Sequence, residues 1–106
     1  MNSISPNELK QWIDSGKEVQ IIDVREPWER DIGLIDGSDH IIMNLIPEKI
    51  EKINRDCDVV VHCRSGARSA AVAQYLVSKQ GFSNIYNLEG GITAWAERVD
   101  PNVEVA

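Results

Sequence analysis

Cysteine, histidine and aromatic residues are scarce in this sequence of 106 residues, which holds two cysteines, two histidines and 6% aromatic residues. Two cysteines without a Cys-x-x-Cys spacing exclude the disulfide framework of a small secreted domain. The two histidines stand apart, so we expect no metal site. No apolar run approaches the length of a membrane-spanning helix, and the amino terminus lacks the basic and apolar stretches of a signal peptide. We therefore expect a cytoplasmic protein with reduced thiols.

An excess of positive charge is also missing, because the formal net charge is -6. This balance argues against nucleic acid and against a membrane as partners, so that any anion-binding site must be local. The length fits a single domain over residues 1–106, and 42% of the residues are hydrophobic, enough for a core without disulfides. We expect that domain to be a monomer.

Short apolar runs alternate along the chain with helical patterns, which predicts an α/β domain with a parallel sheet. Strands are predicted over residues 19–24, 40–43, 58–62 and 84–88. Ser5 and Glu8 form the pattern of a capping box, so a helix is predicted to begin at Pro6 and to stop at Gly16. Further helices are predicted over 47–53, 69–79 and 91–99, with one turn beginning at Pro27 and a tail from residue 100.

The specific signal lies where the valine-rich strand over 58–62 ends and a short loop leads into a helix. Cys63 stands at the C-terminal end of this strand, where open α/β sheets place their ligand sites. Loop amides and the helix N-terminus favour negative charge there, and two arginines add permanent positive charge. We therefore predict that Cys63 is a catalytic thiolate. The residues predicted to bind the substrate are those of the loop and helix start: Arg64, Ser65, Gly66, Ala67, Arg68 and Ser69.

Nearby residues have less specific interpretations. Cys57 lies between two aspartates, which favours a bystander over a resolving or redox role. His62 precedes the nucleophile on a strand and points to the opposite face, so we expect a hydrogen-bonded core histidine rather than a general base. For Trp28 and Trp95, packing is the favoured role over lining the pocket.

The number of residues between cysteine and arginine separates two chemistries. Cysteine phosphatases have His-Cys, five further residues, and then Arg followed by Ser or Thr. Here four residues separate Cys63 from Arg68. The shorter loop fits one extra sulfur on the cysteine better than a tetrahedral phosphate, so a phosphatase or an arsenate reductase is the less favoured function.

Three stretches in order resemble the signatures of the rhodanese family: Ile-Asp-Val-Arg-Glu at 22–26, the active loop at 63–69, and Gly-Gly-Ile-Thr-Ala-Trp at 90–95. The resemblance implies a rhodanese-like three-layer α/β/α fold with a central parallel sheet of about five strands. It also implies a structural ion pair between Asp23 and Arg25. The stretch 33–38 departs from the family's usual Gly-His-Ile-Pro-Gly-Ala.

The resemblance further implies that Cys63 carries sulfane sulfur as a persulfide. The sulfur comes from thiosulfate or another small sulfur-containing anion and passes to a thiol, to cyanide or to a protein, without any cofactor. Residues 94–101 resemble rhodanese domains fused behind the activating enzymes of molybdopterin and thiamine synthesis, which pass sulfur to a small carrier protein. The alternative function is therefore a sulfur-relay module for a sulfur-carrier protein, with little turnover of small molecules.

Overall fold

The computed structural model describes residues 2–106 and contains a parallel sheet flanked by helices. Its strands are β1 (Asn2–Ile4), β2 (Val19–Asp23), β3 (Asp39–His40), β4 (Asp58–His62) and β5 (Ile85–Leu88). Within the described residues the sheet has five strands in the order β1-β5-β4-β2-β3, and every neighbouring pair is parallel. The strand that precedes Cys63 therefore lies in the middle of the sheet.

Four α-helices and two 3₁₀ helices connect the strands. They are α1 (Pro6–Asp14), α2 (Pro27–Ile32), α3 (Ala67–Gln80) and α4 (Gly91–Arg98), with 3₁₀ helices at Met43–Glu48 and Ile50–Lys52. The predicted capping box is present at the start of α1. The Glu8 amide donates to the Ser5 hydroxyl over 3.1 Å, and the Ser5 amide donates to the Glu8 carboxylate over 3.2 Å.

The core consists of two apolar layers, one on each face of the sheet. Val59 and Val61 of β4 pack on one face with Val72 and Leu76 of α3. Val60 points the other way and packs with residues of α1 and α4. Because both faces are covered, the middle of the central strand is a run of three buried valines, and the predicted three-layer α/β/α arrangement is confirmed.

Three elements differ from their prediction. β1 was not among the predicted strands, since it has only three residues and lies at the sheet edge. The strand predicted over 40–43 is wrong beyond His40, because Ile42 leads into a 3₁₀ helix. The helix predicted over 47–53 is 3₁₀ rather than α, and its flanking residues Ile46 and Ile53 are buried.

The segment that follows α4 is not a free tail. Val103 and Val105 pack against the apolar cluster that contains Trp95. This segment also passes so close to Gly33 that an added Cβ there would overlap the Glu104 carbonyl. It therefore covers the connection between α2 and β3.

Among residues 2–106, none of the helices combines the length and the apolar character needed to span a bilayer.

Candidate active site

Cys63 follows the last residue of β4 and begins a loop that ends where α3 starts. Gly66 closes the loop with φ of 117°, a left-handed conformation that side-chain-bearing residues rarely adopt. This turn directs the backbone back over the cysteine, so that α3 begins beside the sulfur. The predicted loop is therefore present, and the helix begins at Ala67, two residues earlier than predicted from sequence.

The sulfur of Cys63 lies at the point where several donors of this turn converge. The Gly66 amide lies 3.1 Å from Sγ, the Ser69 amide 3.4 Å and the Ser69 hydroxyl 3.3 Å. The side chain is 1% exposed, so water does not replace these donors. The geometry forms a small anion-binding concavity around a single atom.

These donors decide the ionisation of the thiol. Burial raises the pKa of Cys63, but hydrogen bonds from the Ser69 hydroxyl and from the amides of Ser69, Gly66 and Ser65 lower it. The hydrogen bonds outweigh burial, and the pKa of the thiol lies below its ordinary value. The site therefore favours a nucleophilic thiolate.

Asn87 of β5 is a part of the site that sequence reasoning missed. Its Oδ1 lies 2.6 Å from the Ser69 hydroxyl, and its Nδ2 donates to the Gly66 carbonyl over 3.3 Å. The side chain thus links the loop and the start of α3 to the neighbouring strand. A polar residue within the otherwise apolar β5 was the signal for it.

Arg68 is held by a second residue that sequence reasoning missed, Glu29 of α2. Its guanidinium donates to both carboxylate oxygens of Glu29, over 2.7 and 2.9 Å. The hydrogen bond from Arg68 lowers the pKa of Glu29, and the same bond raises the pKa of Arg68. Arg68 therefore fixes the loop to α2 and lies at the site as part of an ion pair.

The other predicted binding residues lie on the outer side of the loop. Arg64, Ser65 and Ala67 are exposed. The Arg64 Nε donates to the Ala106 carbonyl over 2.7 Å, so the end of the described chain lies beside the loop. Of the predicted binding residues, Gly66 and Ser69 contact the sulfur and Arg68 is paired with Glu29, whereas Arg64 is the most accessible of the charged groups.

The N-terminus of α4 holds the first part of the loop. The amides of Ile92 and Thr93 donate to the carbonyls of Cys63 and Arg64 over 3.0 and 3.1 Å. Gly91 allows this approach, because a Cβ at this position would lie 2.5 Å from the Arg64 oxygen and 2.6 Å from the Cys63 oxygen. The Gly-Gly motif therefore positions the backbone of Cys63 and Arg64.

A buried ion pair lies beneath the loop, between β2 and β4. Arg25 donates to both Asp23 carboxylate oxygens over 2.9 and 2.8 Å, and neither side chain is exposed. Burial raises the pKa of Asp23, but the hydrogen bonds from Arg25 prevail and lower it to about 2. The Arg25 guanidinium also donates to the carbonyls of Glu29 and Gly33 and so stabilises α2. Neither member of the pair contacts the sulfur, as expected for a scaffold role.

His62 only partly meets its prediction. It is fully buried and points away from the loop, toward Asp23, and its Nδ1 lies 3.2 Å from the Cys63 carbonyl. Its Nε2, however, has no hydrogen-bond partner within the described residues and lies 3.9 Å from Asp23. The expectation of a fully hydrogen-bonded histidine is therefore wrong at one nitrogen. Burial lowers the pKa of His62 to about 4, which keeps the ring neutral.

The remaining candidates lie apart from the sulfur. Cys57 precedes β4 whereas Cys63 follows it, so the two thiols are at opposite ends of the strand. Trp95 is buried as expected, but Trp28 is 61% exposed, and its predicted packing role is wrong. Across residues 2–106 no group of three or more His, Cys, Asp and Glu side chains is arranged to hold a metal ion.

Comparisons with known proteins agree with this geometry. The sequence profile of the family described as "Rhodanese-like domain" matches residues 5–98. A protein of Allochromatium vinosum named "Sulfurtransferase" is 40% identical over 97% of this chain and 95% of its own length. A rhodanese-like domain protein from Staphylococcus aureus has a crystal structure that superposes with a TM-score of 0.86 at 36% identity, covering 100% of this chain and 99% of that one.

A longer relative carries the same domain within a larger protein. "Probable adenylyltransferase/sulfurtransferase MoeZ" of Mycobacterium tuberculosis is 43% identical over 96% of this chain. The chain spans only 26% of the length of MoeZ. The same family is indicated by the order of the strands, by the loop that begins at Cys63 and by the similarity to these proteins. The chain belongs to the rhodanese-like domain family, and its relatives include proteins named sulfurtransferases.

Proposed function

We propose that this protein transfers sulfane sulfur and carries it as a persulfide on Cys63. The observation that carries the proposal is the convergence of the Gly66 amide, the Ser69 amide and the Ser69 hydroxyl on the Cys63 sulfur. These donors stabilise a thiolate, which is the form that attacks sulfur.

The reaction has two displacement steps at sulfur. The Cys63 thiolate attacks the outer sulfur of thiosulfate, the S–S bond of the donor breaks, and sulfite leaves with the electron pair. A thiolate or cyanide then attacks the outer sulfur of the persulfide, and the Cys63 thiolate leaves. No net oxidation or reduction of the protein occurs over the cycle, and no metal or organic cofactor takes part.

The two loop arginines have different roles in this proposal. Arg64 is exposed, so its charge attracts and holds an anionic donor at the mouth of the loop. Arg68 is paired with Glu29 and holds the loop in position. Ser65, Gly66 and Ser69 contribute through the backbone and hydroxyl donors at the sulfur, and Ala67 begins the helix beside them.

Intact-mass spectrometry tests the proposal directly. After incubation with thiosulfate and removal of the excess, we expect the protein to gain the mass of one sulfur atom, which dithiothreitol removes. Cys63→Ser should abolish this gain and the transfer of sulfur to cyanide, because the nucleophile is missing. Cys57→Ser is the matched control and should retain both. Loading that depends on Cys57 and survives Cys63→Ser would disprove the assignment.

A sulfur-relay module is the second candidate function. It is favoured by the likeness to MoeZ, whose name couples adenylyltransferase and sulfurtransferase activities. In this case the acceptor is a sulfur-carrier protein, and turnover with cyanide is slow although the persulfide forms. A comparison of loading with turnover separates the two candidates. Cys63-dependent hydrolysis of p-nitrophenyl phosphate would instead support a phosphatase and contradict both.

A further inference from the structure

The Ser69 hydroxyl has one proton and three acceptors within reach. Its oxygen lies 2.6 Å from the Asn87 Oδ1, 3.3 Å from the Cys63 sulfur and 3.3 Å from the Gly66 carbonyl oxygen. A hydroxyl donates a single hydrogen bond at a time. The shortest of the three distances is typical of a strong O–H···O bond, so in this arrangement the proton points to Asn87.

Asn87 is held in the orientation that accepts this proton. Its Nδ2 faces the Gly66 carbonyl at 3.3 Å, and a flipped amide would set two carbonyl oxygens against each other there. Ser69 is fully buried and Asn87 is 9% exposed. The competition for the hydroxyl proton therefore takes place among protein atoms, with little contribution from bulk water.

The charge on the sulfur changes the outcome of this competition. An uncharged thiol or the inner sulfur of a persulfide is a weak acceptor, whereas a thiolate accepts charge-assisted hydrogen bonds that are about twice as strong as neutral ones. Rotation about the Cβ–Oγ bond of Ser69 turns the proton from one acceptor to the other. No proton leaves the serine, and no covalent bond breaks.

We propose that Asn87 is a positioning residue that competes with the Cys63 sulfur for the Ser69 hydroxyl proton, so that Ser69 donates to Asn87 while the sulfur is uncharged and to the sulfur when it becomes an anion. The inference rests on the proposed role of Cys63 as the sulfur carrier. In that reaction the inner sulfur is uncharged in the persulfide and becomes a leaving thiolate when the acceptor attacks. The hydroxyl then turns to the atom on which charge develops.

Two substitutions at Asn87 shift this competition in opposite directions. Asn87→Leu removes the competing acceptor, and the Gly66 carbonyl keeps its helical bond from the Ala70 amide. Asn87→Asp strengthens the acceptor and adds negative charge. The measurement is the pH midpoint of iodoacetamide alkylation at Cys63, followed on the Cys63 peptide by mass spectrometry. We expect Asn87→Leu to lower the midpoint by about half a pH unit and Asn87→Asp to raise it by about one unit.

The same substitutions are repeated in a Ser69→Ala variant, which lacks the hydroxyl, so that effects transmitted through the hydroxyl are separated from the others. In this background the shift caused by Asn87→Leu should vanish, and the shift caused by Asn87→Asp should shrink to the part due to charge alone. Asn7→Asp makes the same chemical change at an exposed position of α1 and should leave the midpoint unchanged. If Asn87→Asp does not fold, Asn87→Leu with and without Ser69→Ala is sufficient.

A purely structural role of Asn87 predicts a different result. A loosened loop would weaken the donors around the sulfur, so both substitutions would raise the midpoint in either background, and this outcome would overturn the inference. Sulfur loading of the unmodified protein is measured separately. A protein that accepts no sulfur but shows the opposite shifts would contradict the proposed function alone.

Discussion

The sulfur of Cys63 is surrounded mainly by uncharged donors. Backbone amides and one hydroxyl lie within hydrogen-bond distance of it, whereas the Arg68 guanidinium is bonded to Glu29 and Arg64 extends to the surface. The backbone amides among them are fixed dipoles and need no reorganisation as charge develops on the sulfur. At the scale of single residues, the loop therefore stabilises an anion by the position of its donors, and Arg68 stabilises the loop through Glu29.

The ionisation of Cys63 provides the first prediction at this scale. Because hydrogen bonds outweigh burial and hold the pKa of the thiol below its ordinary value of about 8.5, alkylation of Cys63 should persist to lower pH than that of an ordinary thiol. Free N-acetylcysteine measured under the same conditions is the reference for an ordinary thiol. A Cys63 midpoint at or above that reference would contradict the account of the loop.

Arg64 should affect the binding of the donor more than the chemical step. We expect Arg64→Ala to raise the KM for thiosulfate roughly three- to tenfold with little change in kcat, and the effect should be greater at low salt. Steady-state kinetics at two ionic strengths measures this. Arg98→Ala removes the same charge from an exposed position on α4 and serves as control. An equal loss with an uncharged persulfide donor would exclude a role for charge.

The loop that begins at Cys63 could be predicted from local sequence, but two of its partners could not. Cys63, Gly66, Arg68 and Ser69 are close in sequence, and their spacing reports on one turn. Glu29 and Asn87 come from other elements, and their contact with the loop depends on how those elements pack. A glutamate on an exposed-looking helix carries no sign that it will be 4% exposed and paired.

At the scale of elements, the loop is supported from three directions. β5 contributes Asn87, α2 contributes Glu29, and the start of α4 contributes the amides that bind the loop carbonyls. The long helices and the central strand were predictable because their apolar periodicity spans several turns or residues. β1 was missed and β3 was predicted to extend too far, because two or three residues at a sheet edge show no clear pattern.

The link between α2 and the loop yields a prediction at this scale. Glu29→Gln should weaken the bidentate contact with Arg68, lower the free energy of unfolding by about 1 kcal/mol and reduce kcat. Arg68 lowers the pKa of Glu29 in the folded protein. The contribution of this contact to the free energy of unfolding is therefore present above the unfolded pKa of about 4.3. It is lost as the pH falls through the lower folded pKa.

Urea unfolding at neutral pH, with Arg68→Ala and the double variant, measures the coupling between these two side chains. The exposed Glu51→Gln is the matched control and should leave both stability and kcat unchanged. Additive effects of the two single substitutions would show that the pair does not hold the loop.

At the scale of the whole molecule, a polar network lies between the two apolar layers. Asp23, Arg25 and His62 are fully buried at the C-terminal ends of β2 and β4, directly under the site. Asp23 is paired with Arg25 and with Arg30, while the His62 ring stays neutral because burial lowers its pKa to about 4. Global stability should therefore respond to acid before the carboxylates titrate.

We predict that stability declines as pH falls from about 6.5 to about 4. In this window the unfolded chain binds a proton at His62 that the folded chain excludes, so protonation favours unfolding. The loss should reach about 3 kcal/mol at the acid end. His62→Leu should flatten this part of the pH profile of urea unfolding, whatever its effect at neutral pH. An unchanged slope in His62→Leu would contradict the neutral buried ring.

The contact between α4 and the loop has a consequence for the direction of one amide. A trans peptide is planar, and its carbonyl and the following N–H point in opposite directions. The Arg64 carbonyl is fixed by the Thr93 amide and hydroxyl over 3.1 and 2.9 Å, so the Ser65 N–H is turned away from α4 and contributes to the donors that lower the Cys63 pKa. The segment around Gly91 thus orients a dipole that it does not touch. The loop grafted onto another strand without that segment would retain its residues and lose this orientation.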